Sequence, residues 1–211
     1  MIKAILAAAL IALLAPSTSW AIHVRSLEAG IDIQTEKVAH VTGEVNAASL
    51  MKFGAEVLQT LKLDGDLVIL INSPGGHTDT GQIMSNMVEA ERQMHIRTVC
   101  VVTGEAASMA FNFLTHCDVR LAVQDAHLLF HKIANLYPCS EKYIGPRMTA
   151  TTLRAEADEL DKIDAVFDAP NAKALHMKMP EYNAHAEKET DWEAPALVKR
   201  GYLQGIAEVL K

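Results

Sequence analysis

Apolar positions along this chain alternate between two periods, and the alternation predicts the fold. Residues 67–71 (Leu67-Val68-Ile69-Leu70-Ile71) are apolar without a break, and residues 96–102 carry the run Val99-Cys100-Val101-Val102. Both read as strands covered on both faces. Residues 47–63 instead place Leu50, Met51, Ala55, Leu58 and Leu61 at helical spacing, and residues 80–94 place Ile83, Met87 and Val88 along one side of a second helix. Asp64-Gly65-Asp66 stops the first helix, and Ser73-Pro74-Gly75-Gly76 breaks the chain after the strand. Residues 38–45 are rich in β-formers. Strand, helix, strand, helix, strand with buried strands predicts an α/β fold: a mostly parallel sheet with crossover helices.

The second half continues the pattern. After Val102, Thr103-Gly104 reads as a turn, followed by a helix that starts at or just before Ser108 and carries the small and apolar residues 110–114. Residues 118–123 and 127–133 read as two strands around Gln124-Asp125-Ala126. Residues 148–167 repeat Leu153, Ala157, Leu160, Ile163 and Val166 three or four apart, which predicts a long helix ended by Pro170. Its charged side, from Arg154 to Lys162, reads as a solvated face. A short helix at 171–177, a polar loop through Trp192, a helix at 194–199, a stop at Gly201 and an apolar stretch at 206–210 complete the chain.

Composition sharpens this picture at the N-terminus. Lys3, an apolar run over residues 4–15, the break Pro16-Ser17-Thr18 and the small-x-small site Ser19-Trp20-Ala21 have the layout of a secretory signal peptide. The run is shorter than the roughly 20 residues a membrane span needs. Residues 1–21 therefore read as a signal peptide and residues 22–211 as one exported domain, periplasmic or secreted, with no stable membrane span. Half of the chain is hydrophobic, enough for a sizeable core. The net charge is −7 and no basic patch is present, which argues against a nucleic-acid partner. Of the cysteines, Cys100 lies mid-strand and reads as a small buried apolar residue. Cys117 and Cys139 flank the segment with His131, and a bridge between them would brace it; whether they pair is left open. The spacings do not resemble a metal site, and no Walker or Rossmann glycine pattern is present, so neither metal nor cofactor is expected.

Four stretches bear on chemistry. Ser73-Pro74-Gly75-Gly76 lies at the carboxyl end of a buried strand, where ligands of parallel sheets sit, and its glycines allow a backbone N–H to approach a substrate closely. Ser108 opens a helix from the end of the next strand, as a cap or as a nucleophile beside an anion site. His131 ends an apolar run that can return beside Ser108 and supply a base; His127 and His77 are the other contenders. The orienting acid is one of Glu189, Asp191, Asp118 and Asp125.

In order, Ile71-Asn72-Ser73-Pro74-Gly75-Gly76, Gly104-Glu105-Ala106-Ala107-Ser108-Met109-Ala110, Cys117-Asp118-Val119-Arg120-Leu121-Ala122 and Phe130-His131 resemble the proteolytic subunit of Clp protease. More broadly they resemble the Clp/crotonase superfamily, which also holds signal peptide peptidase A. The resemblance implies a Clp/crotonase-type fold with Ser108 as nucleophile and His131 as base. It also implies an oxyanion hole from the N–H groups of Gly76 and Met109, with Gly75 against the substrate. The family's acid falls on Glu189 in an ungapped match and on Asp191 with a short gap. The resemblance implies a serine peptidase acting on peptides or proteins and also suggests an ATPase partner. The signal-peptide layout puts the chain where ATP is scarce, so the expectation is an exported peptidase that works without ATP. Homo-oligomerisation is implied by the family alone. The stretch 132–147 departs from the family pattern. Two other readings stand beside this one: a non-catalytic binding or scaffold protein on the same fold, and a crotonase-like acyl-thioester enzyme.

Overall fold

A computed structural model describes residues 21–133 and 150–210. The expected signal peptide, apart from its last residue, and Cys139 lie outside the described residues. The central sheet is mixed and mostly parallel. Its strands β3 (Val38–Thr42), β4 (Leu67–Ser73), β5 (Thr98–Ala107), β6 (Val119–Ala122) and β9 (Gly205–Ile206) lie in the order β3-β4-β5-β6-β9. Two short strands extend it: β7 (His127–Leu129) runs parallel to the far half of β5, and β8 (Asp191–Glu193) pairs antiparallel with β7. The helices are α1 (Ala47–Thr60), α2 (Thr78–Gln93), α3 (Met109–Leu114), α4 (Ala150–Ala174), α5 (Met179–Glu187) and α6 (Ala194–Lys199).

The unbroken apolar runs are explained by what covers each face. On one side Leu67, Ile69, Ile71, Cys100 and Val102 meet Phe53 and Val57 of α1 and Met84 and Val88 of α2. On the other, Val68, Val99, Val101 and Leu121 meet Ile22, Val24 and Ile31. These last three come from a small antiparallel sheet, β10 (Glu208–Leu210)-β1 (Ile22–Ser26)-β2 (Ile31–Thr35), whose strands alternate apolar and polar residues as one-sided strands do.

The structure differs from several sequence expectations. In α1 the buried positions are Phe53, Val57 and Thr60, while Met51 and Leu58, and Leu61 just after the helix, face outward. Both stripes have helical spacing; the stripe carrying the phenylalanine is the one that packs on the sheet. In α2 Ile83 is likewise exposed, and Met84 and Val88 are buried. Strand β5 does not turn at Gly104. It changes partner there, pairing β6 through Val99–Val102 and β7 through Glu105–Ala107. A side chain on Gly104 would lie 2.7 Å from Asn72 Oδ1, the atom that accepts the Glu105 N–H, so the glycine lets Asn72 tie β4 to β5. Pro170 sits inside α4 rather than ending it, and the expected polar loop before Trp192 contains α5.

The cysteine expectation is also corrected. Cys100 is bridged to Cys117, 17 residues on, so Cys117 is not available to Cys139. Both half-cystines are buried, and the bridge closes a loop that contains the end of β5, Ser108 and α3. A loop of that length constrains the unfolded chain by about 3 kcal/mol. Replacing both Cys100 and Cys117 by alanine is therefore expected to lower unfolding stability by about 3 kcal/mol. Denaturant titration without reductant measures this, and an unchanged midpoint would contradict it.

Candidate active site

The site is built where β4 and β5 end. Ser108 follows directly on β5 and precedes α3, with φ 54 and ψ −121. Positive φ is costly for a residue with a side chain, and such strain persists only where the surroundings over-determine it. Here the Ser108 N–H donates to Leu129 O at 2.9 Å, and its carbonyl accepts from Phe111 at 3.0 Å and Asn112 at 3.2 Å. All six residues of α3 are buried, which fixes the junction from below. The Ser108 side chain makes no capping bond to the helix. Its hydroxyl is left for other work.

The Ser73–Gly76 turn lies against this junction. Ser73 is fully buried, and its Oγ accepts the Gly75 N–H at 3.1 Å. Gly75 has φ +90, and a methyl group there would lie 2.6 Å from Ser108 Cβ and 2.8 Å from Met109 N. Contact of that closeness requires a glycine. Gly76 is pressed against Val45 in the same way, since a Cβ on it would lie 2.4 Å from Val45 O. Val45 clasps the turn, donating its N–H to Gly75 O at 2.7 Å and accepting the His77 N–H at 2.9 Å. Among the described residues, no acceptor meets the N–H of Gly76 or of Met109.

His131 lies two residues beyond β7 and lines, with Ser108 and Met109, a cavity of about 30 Å³. The side chains of Ser108 and His131 are not hydrogen-bonded to each other. His131 Nδ1 lies 2.6 Å from Lys132 O. Lys132 Nζ is ion-paired with Asp168 and stands 3.8 Å from Asp164, whose Oδ1 accepts the Ile133 N–H at 2.8 Å. Burial pushes the Asp164 carboxyl above its usual range; the Ile133 N–H opposes that shift, and the neighbouring Asp168 adds to it.

The expected acids are placed elsewhere. Asp191 stands opposite Leu129 in the β7–β8 register, and its carboxylate is 3.0 Å from His127 Nδ1. That pair is more than half exposed, at 56 % and 53 %, and lines a separate surface pocket with Gly104, Glu105 and Asp125. Glu189 is exposed in the turn after α5, with φ 50. Asp118 lies at the amino end of β5. Burial raises its carboxyl, but bonds from the Thr98 backbone and hydroxyl, together with Arg92, outweigh that and hold it below its usual range. His77 is exposed at the start of α2.

A polar cluster beside the serine was not anticipated from the sequence. Asn112 Nδ2 donates to Asn171 Oδ1, and Asn171 Nδ2 donates to Tyr182 Oη, each at 3.3 Å. These three and Asp168 are buried and line the cavity with Ser108. Burial pushes the Tyr182 hydroxyl up, so it stays protonated. The signal was the spacing Asp164, Asp168, Asn171, a polar stripe along one side of α4 that is distinct from its charged outer face. Among the described residues, no group of three or more His, Cys, Asp or Glu side chains comes together that could hold a metal ion. No described helix is long and apolar enough to cross a membrane.

A search of curated proteins finds no match to this chain. The family model for Clp protease matches residues 25–209, which takes in the β4 turn, the Ser108 junction, His131 and the β8–α6 segment. The sheet, the turn and the serine junction thus lie within one continuous match, and the chain belongs to the Clp protease family.

Proposed function

We propose that this chain is an exported serine peptidase that cleaves peptide bonds without ATP. The observation that carries the reading is Ser108 held at φ 54 against Gly75, with its hydroxyl unused by the helix it precedes. Ser108 Oγ attacks the peptide carbonyl while His131 Nε2 takes its proton. The oxyanion is held by the N–H groups of Gly76 and Met109, which have no acceptor among the described residues. His131 returns the proton to the departing amine, leaving an acyl ester on Ser108. Water, deprotonated by the same histidine, hydrolyses that ester and restores the serine.

Export is supported by the layout of residues 1–21 and by the Cys100–Cys117 bridge, since such bonds persist in oxidising compartments. ATP independence follows from that location. The outward-facing Met51 and Leu58 on α1 give the chain an apolar surface for a homo-oligomer of the kind Clp proteases form.

A binding-only role on the same fold has one observation in its favour, that Ser108 and His131 are not hydrogen-bonded to each other. The two readings part in one experiment. The chain lacking residues 1–21 is incubated with a fluorescent unstructured polypeptide, without nucleotide, before and after treatment with a fluorophosphonate. Cleavage that the fluorophosphonate stops is the expected result. No cleavage and no reaction with the reagent would leave the binding role.

A further inference from the structure

We propose that His131 receives its orienting acid through a peptide group: Asp164 acts on it across the Lys132–Ile133 peptide, and Asp164 and Asp168 are positioning residues. This rests on the Ser108–His131 reading above. One planar unit carries both contacts. Its oxygen, Lys132 O, lies 2.6 Å from His131 Nδ1, and its N–H, that of Ile133, donates to Asp164 Oδ1 at 2.8 Å. With a proton on Nδ1 donated to that carbonyl, Nε2 keeps its lone pair, the state a general base needs.

A carbonyl one residue away can hold an imidazole only if the peptide is itself held. Asp164 grips the N–H side, and the Lys132 side chain is pinned by its ion pair with Asp168. Both carboxylates are buried, at 9 % and 4 % exposure, so they act at short range with little screening by water. A negative carboxylate on the N–H side polarises the peptide and strengthens its oxygen as an acceptor. Among the described residues, the charged and titratable groups around the unit are Asp164, Asp168 and Asp161 of α4, Lys132 itself and Tyr182 of α5. Asp191, by contrast, is bonded to His127 on an exposed pocket, and Glu189 is exposed in its turn.

The test is the rate of fluorophosphonate labelling for the wild type and for Asp164→Ala, Asp164→Asn, Asp191→Asn and Glu189→Gln, with melting temperature measured on each. Asp164→Ala is expected to slow labelling by roughly ten- to a hundred-fold, the scale of an ångström-sized misplacement. A loss of packing alone would lower the melting temperature together with the rate, and would not be repaired by restoring only an acceptor for the Ile133 N–H. Asp164→Asn, whose amide oxygen still accepts the Ile133 N–H, should recover most of the rate. Asp191→Asn and Glu189→Gln should stay within about two-fold, whereas a directly bonded acid costs about 10⁴-fold. A large loss in either of these two, with labelling still dependent on Ser108, overturns the proposal and leaves the serine reading standing. They alter exposed side chains, so they decide the matter even if Asp164→Ala does not fold. A wild type that does not label, or labelling that survives Ser108→Ala, removes the serine reading and this proposal with it.

Discussion

Ser108→Ala is expected to lower peptide-bond hydrolysis by about a million-fold while leaving the fold unchanged. In the proposed mechanism the size follows from what is lost: the atom that would form the acyl ester, and with it the use of His131 as its base. The N–H groups of Gly76 and Met109 would remain and could still polarise a carbonyl, so hydrolysis by water at a small residual rate is expected. Stability should hardly move. The Ser108 side chain makes no bond to the helix it precedes, so the substitution removes no cap. Alanine also meets the same backbone strain at φ 54 that serine already bears. Steady-state hydrolysis beside a thermal melt measures both. A variant within ten-fold of the wild type would place the nucleophile elsewhere.

The second large effect is expected at Gly75. Gly75→Ala puts a side chain on backbone at φ +90 and drives its methyl group to 2.6 Å from Ser108 Cβ and 2.5 Å from Ala107 O. Backbone strain of about 1–3 kcal/mol and overpacking of similar size both apply, so a loss of about 3 kcal/mol in stability is expected. Activity should fall further than stability, because the collision displaces the serine and the Met109 N–H together. A hundred-fold loss in kcat is the scale of such a misplacement, roughly. Gly43→Ala is the control. Gly43 also has positive φ, at +70, but a Cβ there meets nothing within 4 Å. It should cost about 1 kcal/mol and leave kcat alone. Equal effects at the two positions would mean that backbone strain, and not contact with the serine, sets the role of Gly75.

Much of this fold was legible in the sequence because the central strands are covered on both faces. Leu67-Val68-Ile69-Leu70-Ile71 could be nothing but a buried strand at that length, and the glycine pair marks its carboxyl end. The serine junction was legible for the same reason: a buried run followed by small residues and then a helix. The face of α1 was not legible, since Met51-Leu58 and Phe53-Val57 offer two stripes of equal period, and only the sheet beneath decides between them. Gly104 read as a turn because glycine usually breaks a strand, but here it makes room for Asn72. The Cys100–Cys117 bridge was hidden by its position: a cysteine in a strand centre looks like any small apolar residue. The candidate site was legible where it is local and illegible where it is assembled from distance. Gly75, Gly76, Ser108 and Met109 announce themselves by short motifs. Asp164 and Asp168 come to Lys132 and Ile133, beside His131, only through the packing of α4, and no motif near the histidine points to them.

The central claim is that Ser108 is an activated nucleophile, and the most direct measurement is to locate the adduct a fluorophosphonate leaves. The chain without residues 1–21 would be labelled, digested and mapped by mass spectrometry, with His131→Ala treated in parallel. One phosphonate on the peptide containing Ser108, strongly reduced in His131→Ala, is the predicted result. An adduct on another residue, or none where a control serine hydrolase reacts fully, would contradict it.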